Sequence, residues 1–414
     1  MTLPNVALIT LDSFRADIIS RDFTPNILRI AKLGVCFSNA FSNSSTTIPS
    51  MISLFSSTYP NMFGEFSLKR RKTIAEIFKS VGYKTIGINS NTLIEITPGF
   101  NKGFDEFHNL KTKFGTIFFR AFFKNKLTER LDSFIDYHIK YMLNEDYLPF
   151  VRGEVIVKTF KNILKKCKNP TFLWCHFMDT HIPYKPPSWI SDINLRNPLS
   201  RLYYSLKQRR YTSLAKESEK DIFWRLYLNC AKYVDYCISE IFEELKNNNW
   251  IIIITADHGD EFFEHDGVSH SRKLYDELIH VPLIIYGLED YLKFNTKTLV
   301  SHVDILPTLI DLLGLKYRRD IFIGRSILEN ERRYVYAEHK EIKAVRTKMY
   351  KLIIDERNNK MELYNLKKDP REKRNLINDY KDVARDLMSV LHEIREKSKS
   401  IEAKYDALKF LRRI

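Results

Sequence analysis

Two stretches of this chain each end an apolar run in a carboxylate: Leu8-Ile9-Thr10-Leu11-Asp12, and Ile252-Ile253-Ile254-Thr255-Ala256-Asp257, followed at once by His258. Asp12 and Asp257 are hard oxygen donors, and His258 is a borderline nitrogen donor. That mixture suits a divalent cation: Mn, Zn or Mg, and less naturally Ca. Each segment alone also reads as a strand followed by a helix cap or a turn. A third stretch, Ser44-Ser45-Thr46-Thr47-Ile48-Pro49-Ser50-Met51, is rich in hydroxyls and runs into a helix-like segment. Pro is favoured in the first turn of a helix, which puts Thr47 at or just before the N-terminus. Free N–H groups and the dipole there attract phosphate or sulfate, although such a Thr can equally be a plain cap.

Strands rich in Ile, Leu and Val are typical of the buried interior of a parallel sheet. Ligands of such sheets bind beyond the carboxyl ends of the strands. The spacing predicts strands over 5–11, 84–89, 171–177, 250–255 and 281–286, and helices over 24–33, 73–81, 226–245 and 303–313. This alternation implies an α/β fold with a doubly wound, mostly parallel sheet flanked by helices. The expected catalytic domain is 1–315, with a helical insertion over about 112–168 and a basic excursion over about 189–220. The remainder, 316–414, reads as a small antiparallel sheet (strands near 334–337, 344–347, 351–354 and 361–364) closed by a helix from Asp382 onward.

Composition narrows the class. No run of eighteen or more apolar residues suggests a transmembrane helix. The first residues lack a basic region, an apolar core and a cleavage site, so cytoplasmic residence is the expectation. The five cysteines form no CxxC pair, which argues against a disulfide framework or a cysteine-built zinc site. The net charge of +15 favours an anionic substrate or surface: a small phosphate or sulfate ester, an acidic lipid or nucleic acid. No zinc-finger, RNA-recognition or Walker pattern points to nucleic acid. The basic aromatic piece 117–124 suits either core packing or a lipid surface. Oligomeric state is not legible.

In order along the chain stand Asp12-Ser13-Phe14-Arg15-Ala16-Asp17, Thr24-Pro25-Asn26, Thr47-Ile48-Pro49-Ser50, Gly103-Phe104-Asp105 and Asp179-Thr180-His181-Ile182-Pro183-Tyr184. Thr255-Ala256-Asp257-His258-Gly259, Leu274-Tyr275-Asp276-Glu277 and Ser301-His302-Val303-Asp304 follow. This ordered set resembles the sulfatase branch of the alkaline phosphatase superfamily over nearly the whole chain. The resemblance implies a metal-dependent ester hydrolase with Asp12, Thr47, Asp257 and His258 as metal ligands. Thr47 matches the nucleophile. His181 matches a histidine at the substrate or leaving group, His270 the histidine of a Gly-His-Gly variant, and Asn91 a substrate-side Asn.

Two departures shape the expected chemistry. Formylglycine formation requires Cys or Ser at the nucleophile and Arg four positions later; this chain has Thr47 and Met51. The aldehyde route is therefore closed, and an unmodified Thr implies phosphomono- or diesters as the favoured substrates. Ser13 replaces a second Asp. A divalent metal can lower the pKa of a bound oxygen from about 15.7 to about 7, enough to make Thr47 a nucleophile. Arg15 or Lys273 would offset charge on the ester oxygens, although Arg15 also reads as a structural ion pair. His181 or His270 would protonate the departing alcohol. His176, His265, His280 and His302 read as structural. The alternatives are a sulfatase proper, a transferase moving a phospho-substituent to lipid or glycan, and a non-catalytic anion-binding protein.

Overall fold

The computed structural model describes residues 3–112, 148–167, 170–193, 197–200, 203, 220–288, 294–329 and 331–411. Its main sheet contains β1 (Asn5–Leu11), β2 (Val35–Cys36), β3 (Lys84–Asn89), β4 (Glu106–Asn109), β5 (Thr171–Phe177), β6 (Trp250–Ala256) and β7 (Leu283–Tyr286). The strand order is β2-β7-β6-β1-β5-β3-β4. β1 runs parallel to β5 and β6, and β3 parallel to β4 and β5. Only β7 and β2 introduce antiparallel pairing. The expected doubly wound, mostly parallel sheet is the observed one.

Every residue of β1, β5 and β6 is buried, as strands covered on both faces must be. Alternation along β1 sends Val6 and Leu8 into one core, and Ala7, Ile9 and Leu11 into the other. Burying one such aliphatic side chain contributes about 1.5–3 kcal/mol.

The helices α1 (Pro25–Leu33), α2 (Thr47–Ser56), α3 (Gly153–Leu164) and α4 (Lys220–Leu245) divide between the two faces. α2 buries Met51, Ile52, Leu54 and Phe55 in the first core; α1, α3 and α4 bury Ile27, Phe160 and Leu226 in the second. β8 (Val335–His339), β9 (Ile342–Arg346), β10 (Tyr350–Asp355) and β11 (Lys360–Asn365) form a second sheet, antiparallel and in chain order. The helix α5 (Lys381–Leu411) returns Leu387, Leu391 and Ile394 to the first core. Among the described residues, no helix is long and apolar enough to cross a membrane. The basic aromatic piece 117–124 and most of the basic excursion lie outside the described residues.

Candidate active site

Register builds the site. Leu11 stands opposite both Phe177 and Ala256, so three parallel strands end at one level. Two backbone bonds continue past those ends: Asp12 N–H donates to the Phe177 carbonyl at 2.8 Å, and Asp257 N–H to the Leu11 carbonyl at 3.3 Å. Asp12, Asp257 and His258 are fully buried there. Ser13 takes the left-handed backbone region, at φ 59°, which is uncommon for a non-glycine residue. In that pose its N–H donates to Asp257 Oδ1 at 3.1 Å, and its hydroxyl to Asp12 Oδ1 at 3.0 Å. Ser13 thus serves the two carboxylates as a donor rather than adding a third charge.

α2 arrives from the opposite side with Thr47 as its first residue. Thr46, the cap position, makes no side-chain capping bond. The Thr47 hydroxyl instead lies 3.3 Å from Asp12 Oδ2, to which it donates, and 3.3 Å from His258 Nε2. His258 Nε2 is in turn 3.9 Å from Asp12 Oδ1 and 3.5 Å from Asp257 Oδ2. Four donor atoms from distant parts of the chain therefore meet. Gly259 allows the close packing behind them, since a Cβ there would stand 2.2 Å from the Glu277 carbonyl oxygen.

The electrostatics of this group are compatible with a bound cation. Burial and the charge of Asp12 push the Asp257 carboxyl well above its ordinary range. Burial opposes ionisation of Asp12 too, but His181, His176 and His258 nearby hold its carboxyl below the usual range. Two carboxylates in one buried site resist sharing two negative charges. Asp257 Oδ2 is buried without a hydrogen-bond partner, a rare and costly state. His258 Nδ1 is engaged with the Gly259 carbonyl at 2.9 Å, which leaves Nε2 as its ligand atom. Burial, followed by neighbouring His270, lowers the His258 pKa to about 4, so the ring is neutral at pH 7 and its lone pair is available. Two carboxylates, a neutral imidazole and a hydroxyl fit a divalent cation.

The other expected residues separate into two sets. Asn91 joins the site: its Nδ2 donates to Asp12 Oδ2 at 3.1 Å, while its Oδ1 caps a short helix through Leu93 N–H. His270 also joins, with ring centroids 4.5 Å from His258 and 5.0 Å from His181. Arg15 and Lys273 are committed elsewhere. The Arg15 guanidinium pairs with Asp17 and Glu264, each at 2.7 Å. The Lys273 ammonium sits on the Glu261 carboxylate at 2.9 and 3.0 Å. Neither hydrogen-bonds to Asp12, Thr47, Asp257 or His258; Arg15 stands in the structural ion pair that its sequence reading also allowed, and Lys273 in a pair with Glu261. Among the described residues, no Lys or Arg side chain hydrogen-bonds to those four.

Several site residues escaped the sequence reading. His176 lies 3.2 Å from Asp12 Oδ2 through Nε2, and 2.8 Å from the Thr10 hydroxyl through Nδ1. The sequence reads it as structural; the structure makes it a direct partner of Asp12, and its signal is a polar pair, Thr10 opposite His176, inside two otherwise apolar strands. Asp260 is fully buried beside His270. His339, at the end of β8, brings the second sheet to the α2 entrance, 3.3 Å from the Thr46 hydroxyl. His302, by contrast, stays a structural group on Thr255, 3.3 Å away.

Comparison with known proteins gives a consistent pattern. The family model described as Sulfatase matches residues 4–315, and that described as N-sulphoglucosamine sulphohydrolase, C-terminal, matches residues 264–397. An uncharacterized sulfatase, YidJ, of Escherichia coli strain K12 is 24% identical over 425 aligned residues, covering 89% of this chain and 81% of that protein. A delta 4,5-hexuronate-2-O-sulfatase of Bacteroides thetaiotaomicron is 24% identical, covering 91% of this chain and 85% of its own. Among solved structures, the phosphonate monoester hydrolase of Agrobacterium radiobacter superposes with a TM-score of 0.73 at 20% identity, covering 95% of this chain and 96% of that one.

Proposed function

The chain belongs to the sulfatase family, whose members hydrolyse sulfate or phosphate esters, and on that premise we propose that Thr47 is its nucleophile and singly charged phosphate esters are its favoured substrates. The observation that carries this reading is the Thr47 hydroxyl standing 3.3 Å from both Asp12 Oδ2 and His258 Nε2. Asp12, Asp257, His258 and Thr47 would hold a divalent cation. When bound, it supplies Lewis acidity that lowers the pKa of the threonine hydroxyl and offsets charge on the ester.

The residues then divide the work. Thr47 Oγ, its proton released to solvent, bonds to phosphorus as the bond to the leaving oxygen breaks. Asn91 and Ser13 hold Asp12 in place through the bonds described above. His270 or His181 gives a proton to the departing alcohol. Water then attacks the phospho-threonine, returning one proton to the imidazole as Thr47 Oγ leaves and is reprotonated.

Charge decides between ester classes. Met51 is fully buried in the apolar core one turn beyond Thr47, where formylglycine enzymes place an arginine. With Arg15 and Lys273 tied up as well, the described residues turn little fixed positive charge to the nucleophile. A dianionic phosphomonoester is therefore served worse than a monoanionic phosphodiester or phosphonate monoester. Sulfate monoesters carry the same single charge and are the second reading, favoured by the sulfatases among the relatives.

The test is a panel of nitrophenyl phosphate, phosphodiester and sulfate esters with each divalent metal added in turn, followed by mass spectrometry of the quenched enzyme. The expected result is highest turnover on the diester and a phosphoryl adduct on Thr47. Sulfate-only turnover without an adduct would overturn the phosphoester reading.

A further inference from the structure

A hydrogen-bonded chain behind His270 has no part in the scheme above. His270 Nδ1 lies 2.9 Å from Asp260 Oδ1. The other oxygen, Asp260 Oδ2, accepts from the Tyr184 hydroxyl at 2.5 Å. Asp260 and Tyr184 are both fully buried, and Tyr184 is packed edge-on against Tyr227 and tilted against Phe262. Arg15 braces the same turn by donating to the Asp260 carbonyl at 3.1 Å.

A buried carboxylate accepts but cannot donate, so the His270 nitrogen facing it must carry the proton. Nε2 is then the atom left for the site. Nearby His258 and His181 each turn Nδ1 to a backbone carbonyl, of Gly259 and Ile182 respectively. Three clustered imidazoles thus share one orientation rule, but only His270 turns Nδ1 to a side-chain carboxyl rather than to a backbone carbonyl.

We propose that Asp260, backed by Tyr184, is a positioning residue that holds His270 with its proton on Nδ1 and aims Nε2 at the leaving oxygen of the bound ester. The proposal rests on the reading of His270 as proton donor. As the bond from phosphorus to the leaving oxygen breaks, the Nε2 proton moves to that oxygen. The Nδ1 proton stays on the ring, against Asp260, and the attacking water later restores the proton on Nε2. Asp260→Asn offers an amide N–H that favours the opposite tautomer, the effect known for the orienting carboxylate of hydrolase triads.

Two measurements on the Mn-loaded full chain test this. The first compares kcat on an alkyl phosphodiester, whose leaving group needs a proton, with kcat on a nitrophenyl phosphodiester, whose leaving group does not. Asp260→Asn should lower the former about a hundredfold and the latter less than about threefold. Tyr184→Phe should show the same asymmetry at about fivefold, and it carries the test if Asp260→Asn does not fold. Equal losses on both esters, or no loss, would overturn the proposal. The second is nitrogen-15 NMR of histidine-labelled protein at alkaline pH, with His270 assigned by His270→Gln. The expected neutral ring has Nδ1 protonated in the parent and Nε2 protonated in Asp260→Asn; an Nε2-protonated parent refutes it. The NMR arm needs no turnover, so it decides this point even if no ester is hydrolysed and the functional reading itself fails.

Discussion

Two clusters in this protein each join two carboxyl groups to an imidazole and behave as opposites. Asp12, Asp257 and His258 meet at the strand ends, with His176 as a further partner of Asp12; Glu261, His265 and Glu277 meet a short distance along the chain. In the second cluster the Lys273 ammonium bonds both oxygens of Glu261. His265 Nδ1 lies 2.5 Å from Glu277 Oε1, and its ring stacks on Tyr275 at 3.5 Å. The cation is built in, and Glu261 has every oxygen satisfied. At the strand ends no lysine or arginine among the described residues does this, and Asp257 Oδ2 is left without a partner. Residue composition alone therefore does not mark a metal site. What separates the two clusters is that, among the described residues, no lysine or arginine pairs with Asp12 or Asp257, and that the buried Asp257 Oδ2 has no partner.

The contrast is broken most severely at Thr47. Thr47→Ala should reduce turnover by at least about a thousandfold while leaving the melting temperature nearly unchanged. Unchanged activity would remove Thr47 from the chemistry. Next in size is the response to cation. Saturating Mn should raise the parent's melting temperature by about 3–5 °C, the effect of a ligand at about a hundred times its Kd. Asp257→Asn should abolish that increment, and Glu277→Gln should preserve it; the reverse pattern would exchange the roles of the clusters.

The smallest effect concerns pH at the second cluster. Burial works against the charge of His265, but the bond to Glu277 and its charge raise the His265 pKa above the ordinary value. A histidine raised in the folded state adds stability that is full below the unfolded pKa, about 6.5, and lost as pH rises through the folded value. Glu277→Gln should therefore cost stability most at pH 6 and below, on the order of 1–3 °C, with the gap closing at higher pH. Thermal melts across that range check it, and a constant gap would show that His265 is not the cause.

Much of the site could be read from local sequence because strand ends are local events. An apolar run that stops at Asp12 or Asp257 specifies both the strand and the depth of its last side chain, and parallel pairing aligns those ends. Thr47 was legible for a similar reason, through Pro49 and the start of α2. Side-chain partners across the fold were not. Arg15 reads as an ion-pair residue but its sequence does not name Glu264 as the partner, and Lys273 looks like a free cation until Glu261 is placed beside it. Tyr184 and Asp260 are 76 residues apart, and nothing local to either signals the bond between them. His339 reaches Thr46 only because the second sheet docks at the α2 entrance, a contact spanning 293 residues.

The central claim is that the strand-end group, and not its neighbour, takes the cation. Anomalous diffraction from crystals soaked in Mn measures this directly. The expected result is one strong peak within bonding reach of Asp12, Thr47, Asp257 and His258, with none at Glu261, His265 and Glu277. A peak at the second cluster, or none at the first, would contradict it.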